Sequence, residues 1–169
     1  APTGRIWIQA PDIQLDTCSV NLPEEHPLAR LIQVFLRHFS LTHIPACILR
    51  ITSTIPIAAG MGSGAAISVA SLRALSAFIG VPLAPEKISA LAYEIEKIYH
   101  GTPSGIDNTV IALNKPVYYV RGMPITTFSI GKPFTLVIGD TGIRSPTSRP
   151  VEAVRQAWMA EPERYEALF

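Results

Sequence analysis

Charge is scarce in this sequence, and its two signs nearly cancel. Fourteen lysines and arginines stand against 13 aspartates and glutamates, a net charge of +1. A nucleic-acid partner requires a basic face, and this balance argues against one. Cysteine is almost absent: Cys18 and Cys47 are isolated, lack metal-ligand spacing, and read as two buried thiols of a cytoplasmic protein. No apolar run is long enough to span a membrane, because Ser68, Ser71, Arg73 and Ser76 interrupt the best one. The stretch Ala1 to Arg5 carries no signal-peptide pattern. No internal repeat and no low-complexity tract occurs. Apolar residues, in contrast, make up 48% of the 169, enough for the core of one soluble domain. The 15 prolines fall mostly at the edges of elements and punctuate the fold.

Periodicity places those elements. Arg5 to Ala10 reads as a strand, and Pro11 to Glu25 has no clear period and reads as a connection. Pro27 opens a helix with Leu28, Leu31, Ile32, Phe35, Leu36 and Phe39 on one face. Alternation from Cys47 to Thr52 predicts a strand. A helix that is apolar nearly all round follows the glycines near residue 62, should be buried and central, and ends at Gly80 and Pro82. Pro85 opens another, with Ile88, Leu91, Ala92 and Ile95 inward and Glu94, Glu96 and Lys97 off that stripe. Val117–Val120, Ile125–Ile130 and Phe134–Ile138 read as strands, the first two joined by a hairpin at Arg121 to Pro124. A last helix begins near Pro150 and carries Val151, Val154, Trp158 and Leu168. The fold class expected is α+β.

The chain is organised around Ile55 to Ile79. Gly60, Gly62 and Gly64 alternate with Met61 and Ser63, and Ala65 and Ala66 follow as the helical period begins. Such a loop lets a ligand approach the backbone closely, and it opens into a helix N-terminus whose N–H groups and positive dipole suit a phosphate. A P-loop is excluded, since no lysine lies between Arg50 and Arg73. The dinucleotide fingerprint is met only loosely by Gly60, Gly62 and Ala65, and the following element is a helix where that fold needs a second parallel strand.

The run Pro56, then Gly60-Met61-Gly62-Ser63-Gly64-Ala65-Ala66, resembles the nucleotide loop of the GHMP kinases, usually Pro-x-x-x-Gly-Leu-Gly-Ser-Ser-Ala-Ala. Met61 is a mild change from leucine, whereas Gly64 replaces the second serine. A second run, His100-Gly101-Thr102-Pro103-Ser104-Gly105-Ile106-Asp107-Asn108, resembles the signature of the mevalonate kinase branch of that family. Glu96 stands where the family keeps a magnesium ligand, and Asp140-Thr141-Gly142 through Thr147 resembles its substrate-contacting turn. The matches run from about Ser53 to Thr147.

The resemblance implies a ribosomal protein S5 domain 2-like fold and phosphorylation of the terminal hydroxyl of mevalonate by ATP with Mg2+. It implies Asp107 as the catalytic carboxylate. Ser53, Ala58, Ala59, Gly60, Met61, Gly62, Ser63, Gly64 and Ala65 would lie around the nucleotide, Ser104 and Thr147 at the substrate, and Glu96 and Ser63 at the metal. These parts suit phosphoryl transfer, which needs a phosphate cradle, a metal-holding carboxylate and a group that orients the attacking hydroxyl.

Other readings stand beside these. Glu96 could belong to a solvated face with Lys97. Asp107 could be the N-cap of the helix that Thr109 to Leu113 predict. His100 reads as a helix C-terminal cation, and His26, His38 and His43 as surface or packing residues. Alternatives for the whole chain are another GHMP enzyme, such as a phosphomevalonate kinase or mevalonate 3-kinase, and a non-catalytic S5-like binding module. Partners expected are mevalonate and ATP, with no nucleic acid and no membrane; a homodimer stays open. The family's lysine-bearing first motif and its C-terminal glycine loop have no counterpart here. The expectation is therefore a partial N-terminal domain over 1–146, the start of a truncated C-terminal domain over 147–169, and no activity for these 169 residues alone.

Overall fold

The computed structural model describes residues 4–56, 60–100, 103–120, 122–139 and 148–168, without the side chains of 98–100, 148 and 149. Strand β1 (Ile6–Ala10) is the centre of a three-stranded sheet of order β2-β1-β3, with β2 at Leu15–Cys18 and β3 at Cys47–Arg50. β2 runs antiparallel to β1, with Ile8 opposite Thr17, and β3 runs parallel to it, with Ile8 opposite Leu49. Helix α1 (Pro27–His38) lies between β1 and β3 in sequence, as a parallel pair requires. β2 falls within the stretch that lacks a period: four residues bounded by 3-10 turns are too short to announce one.

The helical layer comprises α1, α2 (Ser63–Phe78), α3 (Pro85–His100) and α4 (Ile106–Leu113). α3 packs against α1, α2 and α4, and α2 also meets α1 and α4. One core joins sheet and helices: Ile6, Ile8 and Leu49 pack with Leu31 and Phe35 of α1, Val69 and Leu72 of α2, and Ile88 and Ile95 of α3. Phe35, Ile8 and Leu72 are fully buried. Burial of that kind contributes about 1.5–3 kcal/mol for each large apolar side chain. The inner stripe of α3 falls where its period places it, at Ile88, Leu91, Ala92 and Ile95.

Five expectations change. α2 is central but not enclosed. Val69, Leu72 and Leu75 face the core, while Ala70, Ala74, Ala77 and Phe78 are exposed, because α1, α3 and α4 cover only one side of it. The expected strands at 117–120 and 125–130 shrink to β4 (Val117–Tyr118) and β5 (Thr126–Thr127), an antiparallel pair. Phe134–Ile138 forms no strand, since its backbone finds no neighbouring strand among the described residues; Val137 is 92% exposed. Cys18 is buried as expected, but Cys47 is only half-buried, which still pushes its thiol above the ordinary range. The last helix expected near Pro150 is two helices, α5 (Ser148–Ala160) and α6 (Pro162–Glu166); Val151 and Val154 of α5 are exposed, and Leu168 lies exposed beyond α6. No helix is long and apolar enough to cross a membrane among the described residues.

His26 gains a role that its lack of ligand spacing concealed. It is the N-cap of α1, and its Nδ1 accepts the Leu28 N–H at 3.2 Å. Only a neutral ring can accept there, and burial lowers the pKa of His26 below the ordinary histidine value. His38 is lowered too, by burial first and by Lys87 second. The unfolded chain therefore takes up these protons more readily than the folded one. Stability is full above the ordinary histidine pKa and falls as pH drops through it toward the lower folded values. Denaturant midpoints measured between pH 7.5 and 5 should decline. His26→Asn, which caps without titrating, should flatten part of that decline and leave the share due to His38.

Candidate active site

The glycine run folds as a loop feeding α2. Gly60 and Gly62 both hold positive φ, +71° and +69°, which an L side chain rarely adopts. Gly62 is the N-cap of α2 and, being glycine, brings no capping side chain of its own. The first backbone bond of the helix runs from the Ala66 N–H to the Gly62 carbonyl at 3.0 Å. The N–H groups of Ser63, Gly64 and Ala65 thus lie ahead of the helix's own ladder, at its positive end. Among the described residues, a Cβ at Gly60 would meet nothing within 4 Å, and Met61 beside it is half-exposed.

Tertiary packing brings two carboxylates to this end. A Cβ built on Gly62 would stand 3.6 Å from Asp107 Cγ and Oδ2, and one on Gly64 would stand 3.5 Å from Glu96 Oε1. Asp107 comes from the first turn of α4 and Glu96 from the C-terminal half of α3. Glu96 is half-buried, while its neighbour Lys97 turns away, pairs with Glu94 at 2.7 Å and covers the Tyr93 ring. That bond holds the Lys97 ammonium above its ordinary pKa.

Asp107 is not the N-cap of α4. Gly105 takes that position, with φ +82°, and Asp107 lies two residues inside, where its charge still complements the helix dipole. The turn before it is braced from two elements. Tyr119 donates its hydroxyl to the Ser104 carbonyl at 2.7 Å, and Tyr93 of α3 donates to the Pro103 carbonyl at 3.5 Å. The Ser104 hydroxyl accepts the Ile106 N–H at 3.2 Å. Nothing in the sequence marks Tyr93 or Tyr119 for this task; it exists only once α3 and the 117–120 segment flank the turn.

Of the residues singled out from sequence, Gly62, Gly64, Glu96 and Asp107 meet at one place. Ser63 and Ala65 belong to the same helix end, half-buried and buried respectively. Ser53 sits in a separate turn: its N–H donates to Asp12 Oδ2 at 2.9 Å, and its hydroxyl accepts the Ile55 N–H at 3.1 Å. Ala58, Ala59 and Thr147 lie outside the described residues, as do the backbones of Gly101 and Thr102. The hard oxygen donors of Glu96 and Ser63 suit a magnesium ion, which takes one or two carboxylates and completes its shell with phosphates and water. Among the described residues no group of three or more His, Cys, Asp or Glu side chains could hold a metal unaided.

Residues 27–115 match the family model for the GHMP kinases N terminal domain. The mevalonate kinase of Thermococcus sibiricus is 32% identical over 177 aligned residues, which cover 95% of this chain and 51% of that protein. The chain spans about half the length of the curated relatives it matches. Among solved structures, a mevalonate kinase superposes with a TM-score of 0.64 at 21% identity, covering 75% of this chain and 43% of that one. The L. major mevalonate kinase in complex with R-mevalonate superposes with a TM-score of 0.57 at 23% identity, covering 97% and 50%. These likenesses bear out the α+β fold of the GHMP kinases.

Gly105 is a sharp test of the turn that carries Asp107. A Cβ there would lie 2.9 Å from Tyr119 Oη and 3.3 Å from Tyr93 Cε2, in addition to the strain of positive φ. Gly105→Ala should cost about 1–3 kcal/mol of stability, read from denaturant unfolding. Gly105→Ala combined with Tyr119→Phe, which removes the obstructing hydroxyl, should recover part of that loss.

Proposed function

Because this chain belongs to the GHMP kinases, we propose that it forms the ATP-binding part of a mevalonate kinase, which transfers the terminal phosphoryl group of ATP to the terminal hydroxyl of mevalonate in isoprenoid synthesis. One observation carries the reading: the glycine-lined N-terminus of α2, with Gly62 as its N-cap, faces two carboxylates that come from different helices. A phosphate cradle beside an acid–base carboxylate is what phosphoryl transfer demands. The mevalonate branch is supported by the T. sibiricus kinase, aligned over nearly the whole chain, and by the Pro103-Ser104-Gly105-Ile106-Asp107-Asn108 run. We place the ATP-binding domain within 1–146, with 147–169 belonging to the domain that follows.

Each group has a task. The N–H groups from Gly60 to Ala65 bind the phosphates, because the loop offers donors and few side chains obstruct them. Asp107, exposed beside the N-terminus of α2, orients the mevalonate hydroxyl and takes its proton. Ser104 and Thr147 contact the substrate, and Ser53, Ala58 and Ala59 lie along the nucleotide. Glu96 and Ser63 would hold Mg2+, which when bound neutralises charge on the transferring phosphoryl group. Without such a cation, the carboxylates of Glu96 and Asp107 would repel the triphosphate that the helix end attracts. Where the family's second loop serine would add a ligand, Gly64 offers none, and water or Ser63 fills the place.

Two measurements on the protein as its gene encodes it test this reading. Asp107→Asn should leave ATP and mevalonate bound but lower kcat by roughly 10²–10⁴-fold in a coupled ADP-release assay. Stability should drop by no more than about 1 kcal/mol, the share of a first-turn carboxylate. Parent-like turnover would remove Asp107 from the chemistry, and ADP release with 5-phosphomevalonate in place of mevalonate would reassign the substrate. Gly62→Val would drive a branched side chain toward Asp107 and force a positive φ. ATP affinity by calorimetry should fall well below that of the parent while mevalonate affinity stays near it; unchanged ATP affinity would refute the cradle.

A further inference from the structure

Behind the carboxylates lies a polar cluster that no part of the proposed chemistry uses. Asn108 and Thr109 of α4 and Ser89 of α3 are each more than nine-tenths buried. Asn108 Nδ2 donates to the Ser89 carbonyl and to Ser89 Oγ, both at 3.0 Å. Ser89 Oγ also lies 3.2 Å from Thr109 Oγ1, and the Thr109 hydroxyl donates to the Gly105 carbonyl at 2.6 Å. The bonds form one chain from the backbone of α3 to the N-cap of α4. The surrounding interface is apolar, with Ile88, Ala92 and Ala112 nearby in the core. A polar cluster there costs desolvation that a packed apolar contact would avoid, so its return must lie in geometry.

That geometry concerns both carboxylates. Asp107 is the neighbour of Asn108 and lies between the two α4 positions that the cluster grips, Gly105 and Asn108. Glu96 lies two turns beyond Ser89 on α3, on a rigid helix that transmits any shift of Ser89. An apolar contact would let α4 slide or roll along α3, because hydrophobic packing is non-directional. Directed bonds from Asn108 to two atoms of one residue do not allow this. We propose that Ser89 is a positioning residue, which through Asn108 and Thr109 fixes the separation of Asp107 and Glu96 across the N-terminus of α2. It touches neither substrate nor metal. The inference rests on the assignment of Asp107 and Glu96 made above.

The test compares Ser89→Ala, Thr109→Val and Thr109→Ser with the parent, in the protein as its gene encodes it. Ser89→Ala removes the bridging hydroxyl; Thr109→Val removes the bond to Gly105 at nearly constant shape, and Thr109→Ser restores it. Two readouts apply well below the melting temperature: kcat against KM for ATP, and the gain in ADP affinity on adding Mg2+, by calorimetry. Ser89→Ala and Thr109→Val should lower kcat by roughly 10- to 100-fold, as misplacement of reacting groups does. KM for ATP should stay within about twofold, and the Mg2+-dependent gain in ADP affinity should shrink. Thr109→Ser should behave as the parent. Should Ser89→Ala fail to fold, the two Thr109 variants carry the comparison. A lower melting temperature with parent-like kcat and Mg2+ gain would overturn the proposal and leave the cluster a purely structural one. So would Thr109→Ser losing as much as Thr109→Val. An Asp107→Asn control separates the two readings: if it keeps parent turnover, the site assignment is wrong whatever Ser89 does, and if it is inactive while Ser89→Ala is normal, only the positioning role fails.

Discussion

The site depends on how α2 is anchored. Val69, Leu72 and Leu75 sit in the core that sheet and helices share, α2 packs against α1, α3 and α4, and its glycine end lies at the start of α4. Apolar packing supplies the energy, and the glycines opposite the carboxylates keep the space between them free of side chains. The Cβ positions of Gly62 and Gly64 are 3.5–3.6 Å from Asp107 and Glu96 oxygens. Anything longer than a methyl group would enter the space between helix end and carboxylate. The backbone conformation and the clearance are therefore met by the same residue at Gly62, where φ is +69°.

Electrostatics gives this arrangement its tension. The positive end of α2 attracts anions, and Asp107 and Glu96 lie beside it. Under the proposed function, a triphosphate at this helix end would meet the two carboxylates, and a cation between them would offset the like charge. The positions of the two carboxylates are held from behind, by the directed bonds of Ser89, Asn108 and Thr109, and the turn leading to Asp107 is held from the side by Tyr93 and Tyr119.

Much of the periphery is apolar and uncovered. Phe128, Ile130, Phe134, Leu136 and Val137 are exposed, and so are Trp7 and Ile48, which are paired on one face of the sheet. A segment such as Phe134–Ile138 has the residues of a strand, yet a strand is stable only where a neighbour takes up its N–H and C=O groups. The short pairing of β4 with β5 follows the same rule, since two-residue strands gain little without a third.

What the sequence by itself determined is local. The 3.6-residue stripes of α1 and α3, the break at Gly80 and Pro82 and the glycine loop opening α2 were legible, because each depends on neighbours a few positions apart; Glu96 and Asp107 stood out only through the family resemblance, since their own neighbourhoods read equally as a solvated face and a helix cap. The tertiary structure decided which distant groups share a space. It set Gly62 beside Asp107 and Gly64 beside Glu96, moved the α4 cap from Asp107 to Gly105, turned Lys97 toward Glu94, and gave Tyr119, Ser89 and His26 partners that no spacing announces. Among the described residues it also left one face of α2 uncovered and Phe134–Ile138 unpaired, although their composition argues for burial. The reason is physical: periodicity records which face of an element prefers to leave water, whereas the neighbour it meets, and the distance of approach, emerge only when all the elements compete for the same core.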